Sequence, residues 1–190
     1  FPTESSEHSA EYVPWFLAHD DQVARYRIEV DEYLRRSEDN LAEWEQVKRA
    51  LDAGEELEVE RGDELASQFI RALETGVEAE LYGNIRNEGL IERLPEDACV
   101  EVPVTVGRDG IEPMGFGALP PQCLALNRTF LNVVELTVRA VVEGSRELVV
   151  QAALVDPNTA ATLTVDRIVD MVDDLIEAHG DLIPEPLRRG

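Results

Sequence analysis

Lysine is almost missing from this chain. Lys48 stands beside sixteen arginines, and these seventeen bases face forty acids, a formal charge of −23 over 190 residues. A surface of that sign repels a phosphate backbone and an anionic bilayer, so neither nucleic acid nor membrane is an expected partner. Cysteine is scarce as well. Cys99 and Cys123 share no Cys-x-x-Cys spacing, which argues against a zinc site, and a disulfide is unneeded at this length. Cys99 lies in an apolar, strand-like run and is expected to be a buried thiol. No apolar run approaches eighteen residues and no secretory leader is recognisable, so no segment is expected to span a membrane and the cytoplasm is the default location. A glycine-rich phosphate loop is also lacking, so the chain has no nucleotide fold of its own.

What is present is enough for one domain, residues 1–190, with a proper core. Apolar residues make up 44% of the sequence, which separates it from disordered acidic chains. The acid excess fits a solvated, soluble surface or adaptation to high salt, and composition does not distinguish them.

Periodicity gives an α+β domain in which helices outnumber strands. A helix is expected from Asp20 to Arg36, with Val23, Tyr26, Val30 and Leu34 on one side. Asn40 would cap a second, carrying Leu41, Trp44, Val47 and Leu51 to a stop at Gly54. A third, capped by Asp63, carries Leu65, Phe69, Ile70 and Leu73, and Trp44 and Phe69 are expected in the core. The period then shortens to two. Val100, Val102, Val104 and Val106 alternate with polar positions as a half-buried strand, which Pro103 should confine to an edge or a bulge. Gly107-Arg108-Asp109-Gly110 turns it into a hairpin around Ile111. Residues 78–85 form another strand, with Asn87-Glu88-Gly89 as a turn. Helix returns along Leu131, Val134, Val138, Val141 and Val142 to Gly144, again from Glu147 to Val155, and finally behind Thr164. That last helix carries Ile168, Met171, Val172, Leu175 and Ile176 up to Gly180.

The polar cluster Thr3-Glu4-Ser5-Ser6-Glu7-His8 precedes Glu11-Tyr12-Val-Pro-Trp15-Phe16. Ser5, His8 and Glu11 stand too close in sequence for a triad assembled from separate loops, and His8 with His19 matches no metal spacing. His179 belongs at a helix end as a dipole partner. Tyr12 has two readings. It is a packed phenol with a hydrogen-bonded hydroxyl, or a general base whose pKa neighbouring positive charge has lowered. Aromatics like Trp15 and Phe16 are costly on a free terminus, which suggests the C-terminal part of a longer enzyme.

These residues resemble a segment of glycoside hydrolase family 4, in its α-galactosidase and α-glucuronidase/galacturonidase branch. Further blocks follow in the same order: Asn84-Ile-Arg-Asn87-Glu-Gly89-Leu-Ile91, Leu94-Pro95-Glu-Asp97, Val100-Glu101-Val102-Pro103, Gly110-Ile111-Glu-Pro113, Leu119-Pro120 and Gln151-Ala-Ala-Leu154-Val-Asp156-Pro157. The resemblance implies a C-terminal domain like that of the lactate and malate dehydrogenases, with an N-terminal Rossmann domain absent from this chain. It implies NAD and a divalent metal such as Mn2+, with ligands expected upstream, and oxidation at sugar C3 before deprotonation at C2, elimination and water addition. By the same resemblance Tyr12 is the catalytic base, Glu4, His8 and Asn84 contact the glycoside, and the protein is a homo-oligomer. Branches acting on 6-phosphorylated sugars carry a basic residue about twenty positions after the tyrosine. Here that neighbourhood reads Val30-Asp31-Glu32-Tyr33, followed by Arg35 and Arg36, which favours an unphosphorylated sugar. The alternatives are a hydroxy-acid dehydrogenase-like domain, which would need a His-Asp pair, and a non-catalytic oligomerisation domain.

Overall fold

Val100, Val102, Val104 and Val106 line the inner face of a strand, and the last three are fully removed from solvent. Burial of that kind contributes roughly 1.5–3 kcal/mol per side chain. The computed structural model describes residues 14–17, 19–58, 62 and 64–189. Its chain divides into two units, one ending at Glu64 and the other beginning its main run at Leu65. Among the described residues there are nine α-helices and three strands.

In the larger unit, α4 (Ala66–Thr75) leads into β1 (Ala79–Arg86), β2 (Cys99–Gly107) and β3 (Gly110–Pro113). The sheet is antiparallel in the order β1-β2-β3. Ala72 of α4 and Leu124 of the following helix close the core over Leu81, Ile91, Leu94 and the four valines, with Phe69 packed against them as expected. The expected hairpin forms, with Gly107 opposite Gly110.

Two expectations for β2 need correction. The strand is central, and Pro103 sits within it opposite Tyr82. Its carbonyl accepts from the Met114 amide, so its nitrogen faces the same side, where the β3 ladder has already ended at Pro113. Proline's missing donor therefore costs at most the return bond to Met114 at the end of the ladder. Cys99 is exposed, not buried, because the alternation that turns Val100 inward turns its neighbour out.

The helical third consists of α5 (Pro121–Glu143), α6 (Arg146–Val155), α7 (Pro157–Thr162) and α8 (Val165–His179), then a short 3-10 turn and α9 (Glu185–Arg188). Gly144 ends α5 at φ +65°, and a Cβ there would lie 2.9 Å from Pro186. Ser145 caps α6 through Leu148 N–H. The sequence reading lacks α7, although Asp156 caps it, accepting from the amides of Asn158 and Thr159 at 2.9 and 3.1 Å, with Pro157 in the first turn. Thr164 stands before α8 with its carbonyl, not its hydroxyl, engaged by Ile168 N–H. Within α8, Ile168 and Val172 are buried and Leu175 is half exposed, and His179 occupies the last turn. Val134, Val138, Val141 and Val142 of α5 face outward.

The smaller unit contains α1 (Pro14–Leu17), α2 (Asp20–Tyr26) and α3 (Glu32–Asp52). The helix expected over 20–36 is broken. Arg27 and Asp31 both adopt left-handed backbone, at φ 54° and 60°, and α3 then runs unbroken through Asn40, which caps nothing. Neither glycine nor proline marks that break. It coincides with burial of Glu32 at the start of α3, a tertiary effect invisible to local pattern. Gly54 closes α3 as expected, at φ +72°. Trp44, expected in the core, is 57% exposed, since no described residue covers its face of α3. Asp63 lies outside the described residues.

Candidate functional site

Tyr12, Glu4 and His8 lie outside the described residues, and the description of their segment begins at Pro14. From there the aromatic run is anchored. The Phe16 ring meets Tyr26 of α2 edge to face, centroids 5.3 Å apart, and Trp15 stands edge-on to Phe16 at 6.4 Å. The Arg25 guanidinium lies 5.4 Å from the Tyr26 ring centre, a cation–π contact on the same cluster. Phe16 is half-buried, while Trp15 and Tyr26 keep about half their surface. The hydrophobic anchor therefore holds the chain at Phe16, with Tyr26 keeping about half of its surface.

Further along the same unit, Glu32 is 3% exposed and accepts from Arg36 Nε at 2.6 Å, with Arg35 at 3.8 Å. Arg35 also donates to Glu29 at 2.8 Å and to Asp39 at 3.0 Å. The hydrogen bond and charge of Glu29 hold its guanidinium above the ordinary arginine pKa, with Asp39 and Glu32 adding to the effect. Both arginines following the acidic Val30–Tyr33 neighbourhood are thus engaged with carboxylates.

Asn84 belongs to the other unit. It stands on β1 opposite Glu101, exposed on the outer face of the sheet with Tyr82 and Thr105. An amide beside a carboxylate offers donors and acceptors suited to sugar hydroxyls. Of the residues singled out in the sequence, Tyr12, Glu4, His8 and Asn84, it is Asn84 that lies among the described residues.

At the end of β1 lies a residue whose importance the sequence reading missed. Asn87 is fully buried. Its side-chain amide donates to the carbonyls of Ile91, Leu94 and Pro95 at 3.1–3.2 Å, and its oxygen accepts from Ile91 N–H at 2.7 Å. The loop it gathers then pairs with the chain after β3: Leu90 O accepts from Phe116 and Gly117, and Glu92 N–H donates to Gly117 O. An asparagine followed by Glu88 and Gly89 reads as a turn, and nothing in that pattern marks its side chain as the loop's centre.

Among the described residues, no three His, Cys, Asp or Glu side chains gather to hold a metal. No described helix is long and apolar enough to cross a membrane.

A profile of the family 4 glycosyl hydrolase C-terminal domain matches residues 1–159. An α-galactosidase of Bacillus subtilis is 41% identical over 187 residues, covering 97% of this chain and 43% of its own length. The chain therefore spans less than half of that relative. Among solved structures, the Bacillus subtilis glucosidase lplD superposes with a TM-score of 0.76 at 22% identity, covering 88% of this chain and 38% of its own. The 6-phospho-β-glucosidase of Thermotoga maritima, solved with manganese, NAD+ and glucose-6-phosphate, superposes at 0.58 with 25% identity, covering 73% and 34%. The fold is the helix-rich α+β arrangement these glucosidases share.

Proposed function

This chain belongs to glycosyl hydrolase family 4, as its C-terminal domain, and we propose that the protein containing it hydrolyses α-galactosides. The observation that carries the reading is the 41% identity with an α-galactosidase along 97% of the chain. The engagement of Arg35 and Arg36 with Glu29, Glu32 and Asp39 supports an unphosphorylated sugar, because a phosphate would have to compete with carboxylates already in place.

NAD and Mn2+ are part of the reading, as cofactors that would supply a hydride acceptor and a Lewis acid when bound. The described residues fit neither group. They offer no cluster of metal ligands, and the sequence has no glycine-rich loop to hold a pyrophosphate. Both sites are therefore assigned to a part of the protein outside this chain. This chain's own contribution is proton transfer and orientation. Tyr12 takes the proton from sugar C2, and four residues beyond it Phe16 is packed edge to face on Tyr26. Glu4, His8 and Asn84 are assigned hydrogen bonds to sugar hydroxyls. The assembly is a homo-oligomer in the same reading, and the compartment is the cytoplasm.

The test is a substrate panel with the full-length protein, supplied with NAD and Mn2+. An unphosphorylated α-galactoside should exceed the corresponding α-glucoside and 6-phospho-α-glucoside in kcat/KM by at least about tenfold, since a built pocket discriminates hydroxyl patterns by that much or more. Preference for the 6-phosphoglucoside would overturn the reading.

A further inference from the structure

The acid excess belongs to each unit separately. The larger holds twenty-one acids and ten arginines, and the smaller nineteen acids and seven bases. Among the described residues Glu32 is the one buried carboxylate, so the excess lies on the surface. In the larger unit Arg86, Arg139, Arg146, Arg167, Arg188 and Arg189 each pair with a carboxylate of that unit. Fifteen acids and four arginines are left over, so the chain's own bases do not offset the charge. The core that opposes the repulsion is built of valine, leucine, isoleucine and alanine, and no described aromatic ring is fully buried in it.

The spacing of the acids sets how much salt it takes to screen them. On α8, Asp166, Asp170, Asp173, Asp174 and Glu177 neighbour one another at three and four residues. Side chains so placed have Cβ atoms about 5–6 Å apart. Glu177 stands in the last turn as well, at the negative end of the helix dipole. The screening length is about 10 Å at 0.1 M salt and about 3 Å at 1 M, so it falls below that spacing only within this range. Widely separated surface charges gain nothing more above physiological salt, whereas these do. Salt also weakens attraction, but unequally. Arg146, which holds Asp173, is 21% exposed, and Glu32, which holds Arg36, is 3% exposed. Such sheltered pairs are screened much less than the exposed repulsion. We propose that dissolved cations hold this fold together against its own charge, so that its stability climbs throughout the range from about 0.1 to about 1 M salt. The acid excess is then an adaptation to high salt, independent of the sugar chemistry.

Amide hydrogen exchange on the full-length protein provides the test, read on α8 at about 0.1 M KCl, at about 1 M KCl, and at the lower KCl with sucrose added. An unstructured peptide in each solution corrects for the intrinsic rate. Exchange along α8 should slow on the order of tenfold at the higher KCl, and far less in sucrose. Asp174→Lys sets a cation between Asp170 and Glu177, so this variant should exchange more slowly than the parent at low KCl and respond less to added salt. Equal α8 exchange at both KCl concentrations overturns the inference. So does an equal effect of sucrose, which would assign the gain to solute exclusion. An Asp174→Lys variant that matches the parent at low KCl overturns it too.

Discussion

Asn87 shows how much one side chain decides in this fold. It is fully buried, and its amide serves four backbone groups within the loop that follows β1. Asn87→Ala removes all four bonds and leaves Ile91 N–H and three carbonyls needing new partners, at a cost of roughly 2–4 kcal/mol. Asn87→Asp is the sharper control. It keeps the shape and the acceptor for Ile91, but turns an oxygen toward the three carbonyls, so it should be comparably destabilising above the carboxylate's pKa. Urea unfolding of the two variants checks both, and a loss under about 0.5 kcal/mol in either would remove Asn87 from this role. The inner valines of β2 were legible from their period, because alternation across a sheet needs no knowledge of the partner. Asn87 was not, because a buried polar hub and a surface turn share the same letters. Cys99 was misread for a related reason: an apolar neighbourhood says little about which face a residue takes, whereas strand phase does.

At the scale of elements, caps and stops were the most readable features. Gly54, Gly144 and Gly180 end the helices they were expected to end. Gly144 has two separate reasons to be glycine, its φ of +65° and the 2.9 Å that would separate a Cβ from Pro186. Gly144→Ala should therefore cost roughly 1–3 kcal/mol and loosen the segment around Pro186, which Arg146 also holds through the carbonyls of Leu187 and Arg188 and an ion pair with Asp173. Thermal unfolding, with limited proteolysis after α8, measures both effects, and a variant as stable as the parent would contradict this account of the stop. The break between α2 and α3 was illegible. It is made by an arginine and an aspartate in left-handed backbone, where neither glycine nor proline announces it. The apolar stripe of α3 was visible as a face, but its assignment to the core failed at Trp44. Periodicity shows that a face wants cover without showing whether the cover is in the same chain.

For the whole molecule, charge and family blocks were legible well beyond the elements. Ordered blocks from Thr3 to Pro157 pointed to the family whose C-terminal domain profile matches residues 1–159. The candidate site was legible only as letters. Tyr12, Glu4 and His8 fall outside the described residues, and Asn84 belongs to the other unit. The chain spans 43% of the length of an α-galactosidase relative. In the proposed function, glycosidic cleavage proceeds through removal of the proton at sugar C2 by Tyr12, and not through a pair of carboxylates acting at C1.

The direct measurement is turnover of an α-galactoside by the full-length protein in deuterated water, with the galactose product examined by mass spectrometry and NMR. Deuterium should appear at C2 of the released galactose. Tyr12→Phe should slow turnover and incorporation together, by about a hundredfold or more, while substrate affinity changes far less. Galactose released with its C2 proton fully retained, or a Tyr12→Phe variant exchanging it at the parent rate, would contradict the account.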